Sequence, residues 1–139
     1  MYLLDTNVVS ETRKIRQNKA DKNVVAWFSR VQKESLYTNA VVLMEIERGI
    51  LRLENKDPQQ ANRFKSWYHL AVKPMFHRRI LPIDDATATV CSKLHVPDLS
   101  PENDAWVAAS AIQYDLTLVT RNTKDFEHAN LRVLNPFEA

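Results

Sequence analysis

Acidic residues in four separated segments are the first candidates for chemistry. Asp5 stands in Leu3-Leu4-Asp5-Thr6-Asn7 and Glu45 in Glu45-Ile46-Glu47-Arg48-Gly49. Asp104 stands in Asn103-Asp104-Ala105-Trp106-Val107-Ala108-Ala109, and Asp125 in Leu118-Val119-Thr120-Arg121-Asn122-Thr123-Lys124-Asp125-Phe126. Carboxylates gathered in one cleft repel one another, and a divalent cation between them removes that strain. An all-oxygen site that leaves water on the metal suits Mg²⁺ or Mn²⁺. A cation so held activates water and stabilises charge on a phosphoryl group, so the reaction class is phosphodiester hydrolysis. Whether these acids meet depends on the elements that carry them.

The pattern alternates strands and helices, which predicts an α/β fold with a mainly parallel sheet. Tyr2–Leu4 reads as a short buried strand ending at Asp5, followed by a helix over Val8–Ile15 with Asn7 as a cap. Asn23–Lys33 carries Val24, Trp27, Phe28 and Val31 at helical spacing. Ser35–Thr38 reads as a second strand. Asn39 then caps a long helix to Glu54, with Val42, Ile46, Ile50 and Leu53 on one face. Pro58 suits the first turn of a helix reaching about His77. Ile80–Ile83 reads as a strand, and a helix runs from Asp85 to Leu94. A loop holding Pro97 and Pro101 leads to a helix at Asn103–Tyr114. Thr117–Thr120 and Leu131–Leu134 are the last strands.

In open α/β sheets, sites lie beyond the carboxyl ends of the strands. Asp5 falls there, as do Thr120, Arg121 and Asn122. Glu45 lies within two turns of its helix start, and Asp104 in the first turn of its own. Each also has a plainer role. Asp5 with Thr6 and Asn7 makes a strand-to-helix turn, Glu45 is a solvated helix residue, and Asp104 favours the helix dipole. Asp125 caps a short turn, and Asp84 and Asp85 cap the following helix.

Composition narrows the field. The 139 residues suit one domain, and a chain of that length buries roughly two-thirds of its unfolded surface. No apolar run approaches the roughly 20 residues of a membrane span. The N-terminal residues do not read as a signal peptide, so an intracellular, cytoplasmic protein is expected. Cys91 is the only cysteine, which excludes an internal disulfide and a cysteine-based zinc site. Among Ala88, Val90 and Leu94 it reads as a small buried hydrophobe. Gly49 is the only glycine, which excludes a P-loop and a dinucleotide fingerprint. Net charge is +2, but with four acids gathered in one site the remaining 13 acids and 19 bases leave +6 elsewhere. Such a surface suits a phosphate backbone.

The motifs quoted above, in that order, resemble the PIN-domain family, and look most like the VapC/FitB-type toxins of bacterial type II toxin–antitoxin pairs. The resemblance runs from Tyr2 to Pro136. It implies a three-layer α/β/α sandwich with a parallel sheet and a Mg²⁺- or Mn²⁺-dependent endoribonuclease. It matches Asp5, Glu45 and Asp104 to the family's metal-binding acids, and Thr6 and Thr120 to hydroxyls that support the site. Some relatives carry Asp where Asn122 stands; here Asp125 is the nearest carboxylate, and it joins the catalytic set. The resemblance also implies a homodimer and a small antitoxin partner. An antitoxin arginine entering the acidic cleft would compete with the metal, and its segment would fill an apolar groove such as one lined by Trp27, Phe28 and Ile50.

Arg13, Lys14, Arg16, Lys19 and Lys22 follow the first motif and read as a phosphate-contacting rim or a solvated helix end; Arg78 and Arg79 read similarly. His69, His77, His95 and His128 show no metal-ligand spacing. Trp27, Trp67 and Trp106 read as packing residues. Two other functions remain open. One is a strand-end aspartate phosphatase, which usually needs a second acid where Asn7 stands. The other is a non-catalytic binding module on the same fold.

Overall fold

The computed structural model describes residues 1–127 and 130–138. Five parallel strands form one sheet in the order β3-β2-β1-β4-β5. They are β1 (Tyr2–Leu4), β2 (Leu36–Asn39), β3 (Ile80–Leu81), β4 (Thr117–Val119) and β5 (Val133–Leu134). The helices are α1 (Thr6–Ile15), α2 (Lys22–Arg30), α3 (Ala40–Glu54), α4 (Pro58–Trp67), α5 (Lys73–Met75), α6 (Asp85–Lys93) and α7 (Glu102–Gln113). A π-helical segment, Tyr68–Val72, joins α4 to α5. The result is the expected α/β/α sandwich. β1 is central, so Leu3 and Leu4 are both fully buried, as strands covered on two faces must be. Val8, Val9, Val42, Val107, Leu118 and Val119 complete the middle of the core, each adding about 1.5–3 kcal/mol by burial. Among the described residues, no helix is long and apolar enough to cross a membrane.

Most expected boundaries shift by a residue or two, and each shift has a local cause. α1 begins at Thr6 because Asp5, not Asn7, is its cap: Asp5 is extended and its Oδ1 accepts from the Thr6 amide at 2.8 Å. α2 stops at Arg30 because Val31 turns extended while still packing on the core. A 3-10 turn, Lys33–Ser35, takes Ser35 from β2, which runs on to Asn39. β3 stops at Leu81 because Pro82 has no N–H to give the ladder. β5 pairs only through Val133 and Leu134. Pro58 opens α4 and Asp84 caps α6, as expected. Trp27 is in the core, whereas Trp67 and Trp106 are half-buried. Cys91 is buried in a small cluster with Ala105 and Ala109.

Asn39 fastens the sheet to the helix that carries Asp104. Its Oδ1 caps α3 by accepting from the Val42 amide at 3.0 Å. Its Nδ2 donates to Ser110 Oγ at 3.0 Å and to the Trp106 carbonyl at 3.3 Å, both on α7. Asn39→Ala removes a cap and deprives buried Ser110 of its donor, so it should cost about 2–3 kcal/mol. Asn39→Asp keeps the cap acceptor but loses the donors and should fall between the two. Urea unfolding of the three proteins checks this order.

Candidate active site

The chain runs β1, β2, β3 toward one edge of the sheet and then returns to build β4 and β5 on the other. The direction of strand order therefore reverses between β1 and β4, where such sheets open a crevice at their carboxyl ends. Asp5 follows β1 there and Thr120 follows β4. The Asp5 amide bonds to the Val119 carbonyl at 2.9 Å, and Thr120 Oγ1 donates to Asp5 Oδ2 at 2.8 Å. The same hydroxyl accepts from Asn7 Nδ2 and from the Asn122 backbone N–H, both at 3.2 Å. Asn7 Oδ1 accepts from the Arg121 amide at 3.0 Å, closing the crevice from the β4 side.

Glu45 arrives from the second turn of α3. Thr6 Oγ1 donates to its Oε1 at 2.6 Å, and Asn103 Nδ2 lies 3.5 Å from its Oε2. Asp104 arrives from the first turn of α7, and Asp125 from the 3-10 turn Thr123–Phe126. Asp104 and Asp125 together line a hollow of about 270 Å³ whose walls include Leu99 and Phe126. The acids feel one another. Burial pushes Asp5 above the usual carboxylate range, and Glu45 and Asp125 add to it, while the Thr120 and Thr6 hydrogen bonds oppose it. Asp104 is pushed up to about 6, first by burial and then by the charges of Asp5, Asp125 and Glu45. The four segments thus meet in one electrostatic site, with Asp5 buried, Glu45 and Asp104 half-buried and Asp125 exposed.

The PIN-domain family profile matches residues 2–131. This chain belongs to the PIN-domain family. Among curated relatives, the toxin FitB of Neisseria gonorrhoeae is 33% identical over 99% of each chain. The VapC ribonuclease Y4jK of Sinorhizobium fredii is 31% identical, again over 99% of each. Among solved structures, FitAcB from Neisseria gonorrhoeae superposes with a TM-score of 0.87 at 30% identity, over the full length of both chains.

The donors of this PIN domain's crevice are all oxygen, and among the described residues no Lys or Arg forms an ion pair with Asp5, Glu45, Asp104 or Asp125. Nor do any three Asp, Glu, His or Cys side chains among them close tightly enough to cage an ion by themselves. That combination fits a hard cation that keeps several waters and takes one or two carboxylates directly. It does not fit a dehydrated, fully protein-caged ion.

Several other expected roles change. Asn122 is exposed, and the described hydrogen bond to the Thr120 hydroxyl comes from its backbone, not its amide side chain. Arg79 is not a phosphate contact: its guanidinium donates to the Leu36 carbonyl at 2.9 Å and the Met75 carbonyl at 2.7 Å. Lys14 pairs with Glu11 at 3.3 Å. Glu11, which the sequence did not single out, is buried and accepts from the Asp21 amide at 2.7 Å, fixing the α1–α2 turn. His95 accepts from the Ser100 amide at 3.1 Å, His69 and His77 are exposed, and His128 lies outside the described residues. The groove expected from Trp27, Phe28 and Ile50 does not form as a unit: Trp27 is buried in the core, whereas Ile50 lines the groove beside the acids together with Phe64 and Trp67.

These shifts give the metal-free fold a signed pH dependence. Asp104 binds its proton more tightly folded, at about 6, than at its ordinary 3.8. Its contribution to stability is therefore fully present below about pH 4 and is lost as pH rises through about 6. In EDTA, Asp104→Asn should raise stability near pH 8 by up to about 1 kcal/mol, a figure reduced for its half-exposed position, and change little near pH 4. Asp5 differs because it is also a cap: Asp5→Ala should be about 1 kcal/mol less stable than Asp5→Asn. Thermal melts across pH decide both, and a large loss for Asp104→Asn would make that residue structural.

Proposed function

We propose that this chain is a divalent-metal-dependent endoribonuclease, the toxin of a type II toxin–antitoxin pair, acting as one domain over residues 1–139. The observation that carries the reading is the group of four mutually repelling carboxylates at the β1–β4 crevice, unpaired with any Lys or Arg among the described residues, with Asp104 pushed up to about 6. The relatives supply the substrate class and biological role: one is named a toxin and another a ribonuclease.

In this reading Asp5, Glu45 and Asp104 hold Mg²⁺ or Mn²⁺, one or two of them directly and the rest through the ion's waters, and Asp125 completes the catalytic set. When bound, the ion supplies an acidified water and stabilises charge on the phosphoryl oxygens. The chain's own residues orient that chemistry. Thr120 fixes Asp5 Oδ2, Thr6 fixes Glu45 Oε1, and the Asp5 cap on α1 holds the first carboxylate rigidly against the sheet. The phosphatase alternative loses support because the Asn7 side chain, where a second acid is needed, is engaged by Thr120 and the Arg121 amide. A non-catalytic binding module would have no use for four acids without a basic partner.

The protein works in the cytoplasm, where RNA is available, and as a homodimer; Met44 and Leu51, 39% and 60% exposed on α3, offer apolar surface for that contact. A small antitoxin holds it inactive. The FitAcB structure, with a component beside FitB, supports the partner, and the crevice charge supports the means: an arginine pairs bidentately with free carboxylates and competes with the cation.

Four outcomes are expected. RNA cleavage should need Mg²⁺ or Mn²⁺, stop in EDTA, and fall on the order of a thousandfold or more in Asp5→Asn and Asp104→Asn. Asp125→Asn should fall further than Asn122→Ala, because a charged carboxylate outweighs a neutral amide at a cation. A gel-based cleavage assay reads all of these, and full activity in excess EDTA rejects the mechanism. Expression of the chain alone should slow growth, and co-expression of the gene beside it should restore it. Titration calorimetry should show the partner's affinity falling as Mg²⁺ rises.

A further inference from the structure

A furrow between α1 and α4 leads away from the acids. Its near half, about 530 Å³, is lined by Thr6 and Glu45 at the site and by Arg13, Phe64 and Trp67 further out. Its far half, about 520 Å³, begins at the same Arg13, Phe64 and Trp67 and continues past Arg16 and Arg63. The three shared residues make the two halves one continuous path. The path changes character along its length. Its start carries the Glu45 carboxylate, whereas the far half is lined by three arginines and no carboxylate.

The aromatic content is placed to match. The Arg13 guanidinium lies over one face of the Phe64 ring, 4.4 Å from its centroid, so a cation and an aromatic ring are presented together. Trp67 beside them is only half-buried, leaving ring surface in the furrow. Arg16 and Arg63 are exposed. Guanidinium groups spaced along a groove with sequence-tolerant aromatic platforms between them are the chemistry that tracks a single-stranded nucleic acid: cations take the phosphates and rings take the bases. The hollow on the other side of the acids, at Asp104 and Asp125, has Lys124 as its only basic lining residue among those described.

We propose that the α1–α4 furrow is the RNA track of this protein, in which Arg13, Arg16 and Arg63 hold the backbone and Phe64 and Trp67 stack the bases of the strand that leads into the Asp5–Glu45 crevice. The inference rests on the ribonuclease reading and deepens it by naming where the substrate lies. The strand preference is single, because a duplex hides the base faces that the rings would stack.

The test uses the full chain and a labelled single-stranded RNA long enough to fill the furrow, followed by fluorescence anisotropy in EDTA so that nothing is cut. Arg16→Ala/Arg63→Ala should weaken binding on the order of tenfold and flatten the log–log salt dependence by about 1.4, since each of the two lost phosphate contacts on a single strand contributes about 0.7. Arg16→Lys/Arg63→Lys should keep the salt slope. With Mg²⁺ present, the loss in kcat/KM of the alanine variant should shrink as the RNA is shortened toward a trinucleotide. Circular dichroism confirms that each variant folds. If the wild type cleaves RNA while the alanine variant matches it in affinity and salt slope, the track is wrong and the ribonuclease reading stands. If the alanine variant keeps its RNA binding and loses only the partner protein, the furrow belongs to that partner and the proposal is overturned. If the wild type neither cleaves nor binds RNA, the ribonuclease reading falls and takes the track with it.

Discussion

The Thr120 hydroxyl uses its one proton and both lone pairs: it donates to Asp5 Oδ2 and accepts from Asn7 Nδ2 and the Asn122 N–H. A hydroxyl has no further capacity. Those bonds join the end of β1, the first turn of α1 and the loop after β4 at the point where strand order reverses. Asp5 in turn caps α1 with its other oxygen. The first carboxylate of the site is therefore fixed by bonds that also fix the sheet's central pair and its first helix. Moving Asp5 would mean unmaking the α1 start, and that is why a charged group is retained at a position buried as deeply as the core.

The remaining acids depend on that anchor by different routes. Glu45 is joined to α1 through Thr6, so its place follows from the same helix start. Asp104 has no such tie among the described hydrogen bonds. Its position is set by α7, which Asn39 fastens to the end of β2. The two arms of the site therefore rest on different main contacts, one through Thr6 and one through Asn39, and meet at the long Asn103–Glu45 contact of 3.5 Å. A change that loosens α7 would displace Asp104 first and would remove this one contact from Glu45, leaving Asp5 in place.

How far the sequence disclosed this depends on the range of each interaction. Asp5, Glu45, Asp104 and Thr120 were legible because each sits at a strand end or a helix start, which local pattern marks. The cap was assigned to Asn7 rather than Asp5 because both residue types cap helices and pattern alone does not choose the register. The backbone chooses: Asp5 is extended and Asn7 is already helical. Asn39 was legible as a cap but not as a fastener, because Ser110 lies 71 residues away. Helical spacing marks Trp27 as a packing residue, and it is one: Tyr2 and Phe28 pack edge-on against it at 5.2 and 5.1 Å in the core, so it is not free to line a partner's groove. Phe64 and Trp67 were missed as groove residues because the furrow exists only where α1 and α4 lie side by side.

What holds the carboxylates matters as much as where they are. Asp5 and Glu45 are bound by a threonine hydroxyl each, a backbone amide and a distant asparagine, all neutral donors. Neutral donors orient a carboxylate and favour its charged form without cancelling the charge. A lysine or arginine in the place of Thr6 or Thr120 would hold the same oxygen more strongly, but it would turn the crevice into a structural ion pair with little left for a cation. Several bases of this chain are instead engaged away from the acids: Arg79 on backbone carbonyls, Lys14 on Glu11 and Arg132 on Asp115. The charge at the crevice therefore stays uncompensated by protein. That is destabilising for the metal-free fold and attractive to any hard cation or guanidinium that enters. In the proposed reading the same open charge would serve both the cation and an inhibiting arginine, because both would act on a charge that the fold leaves open.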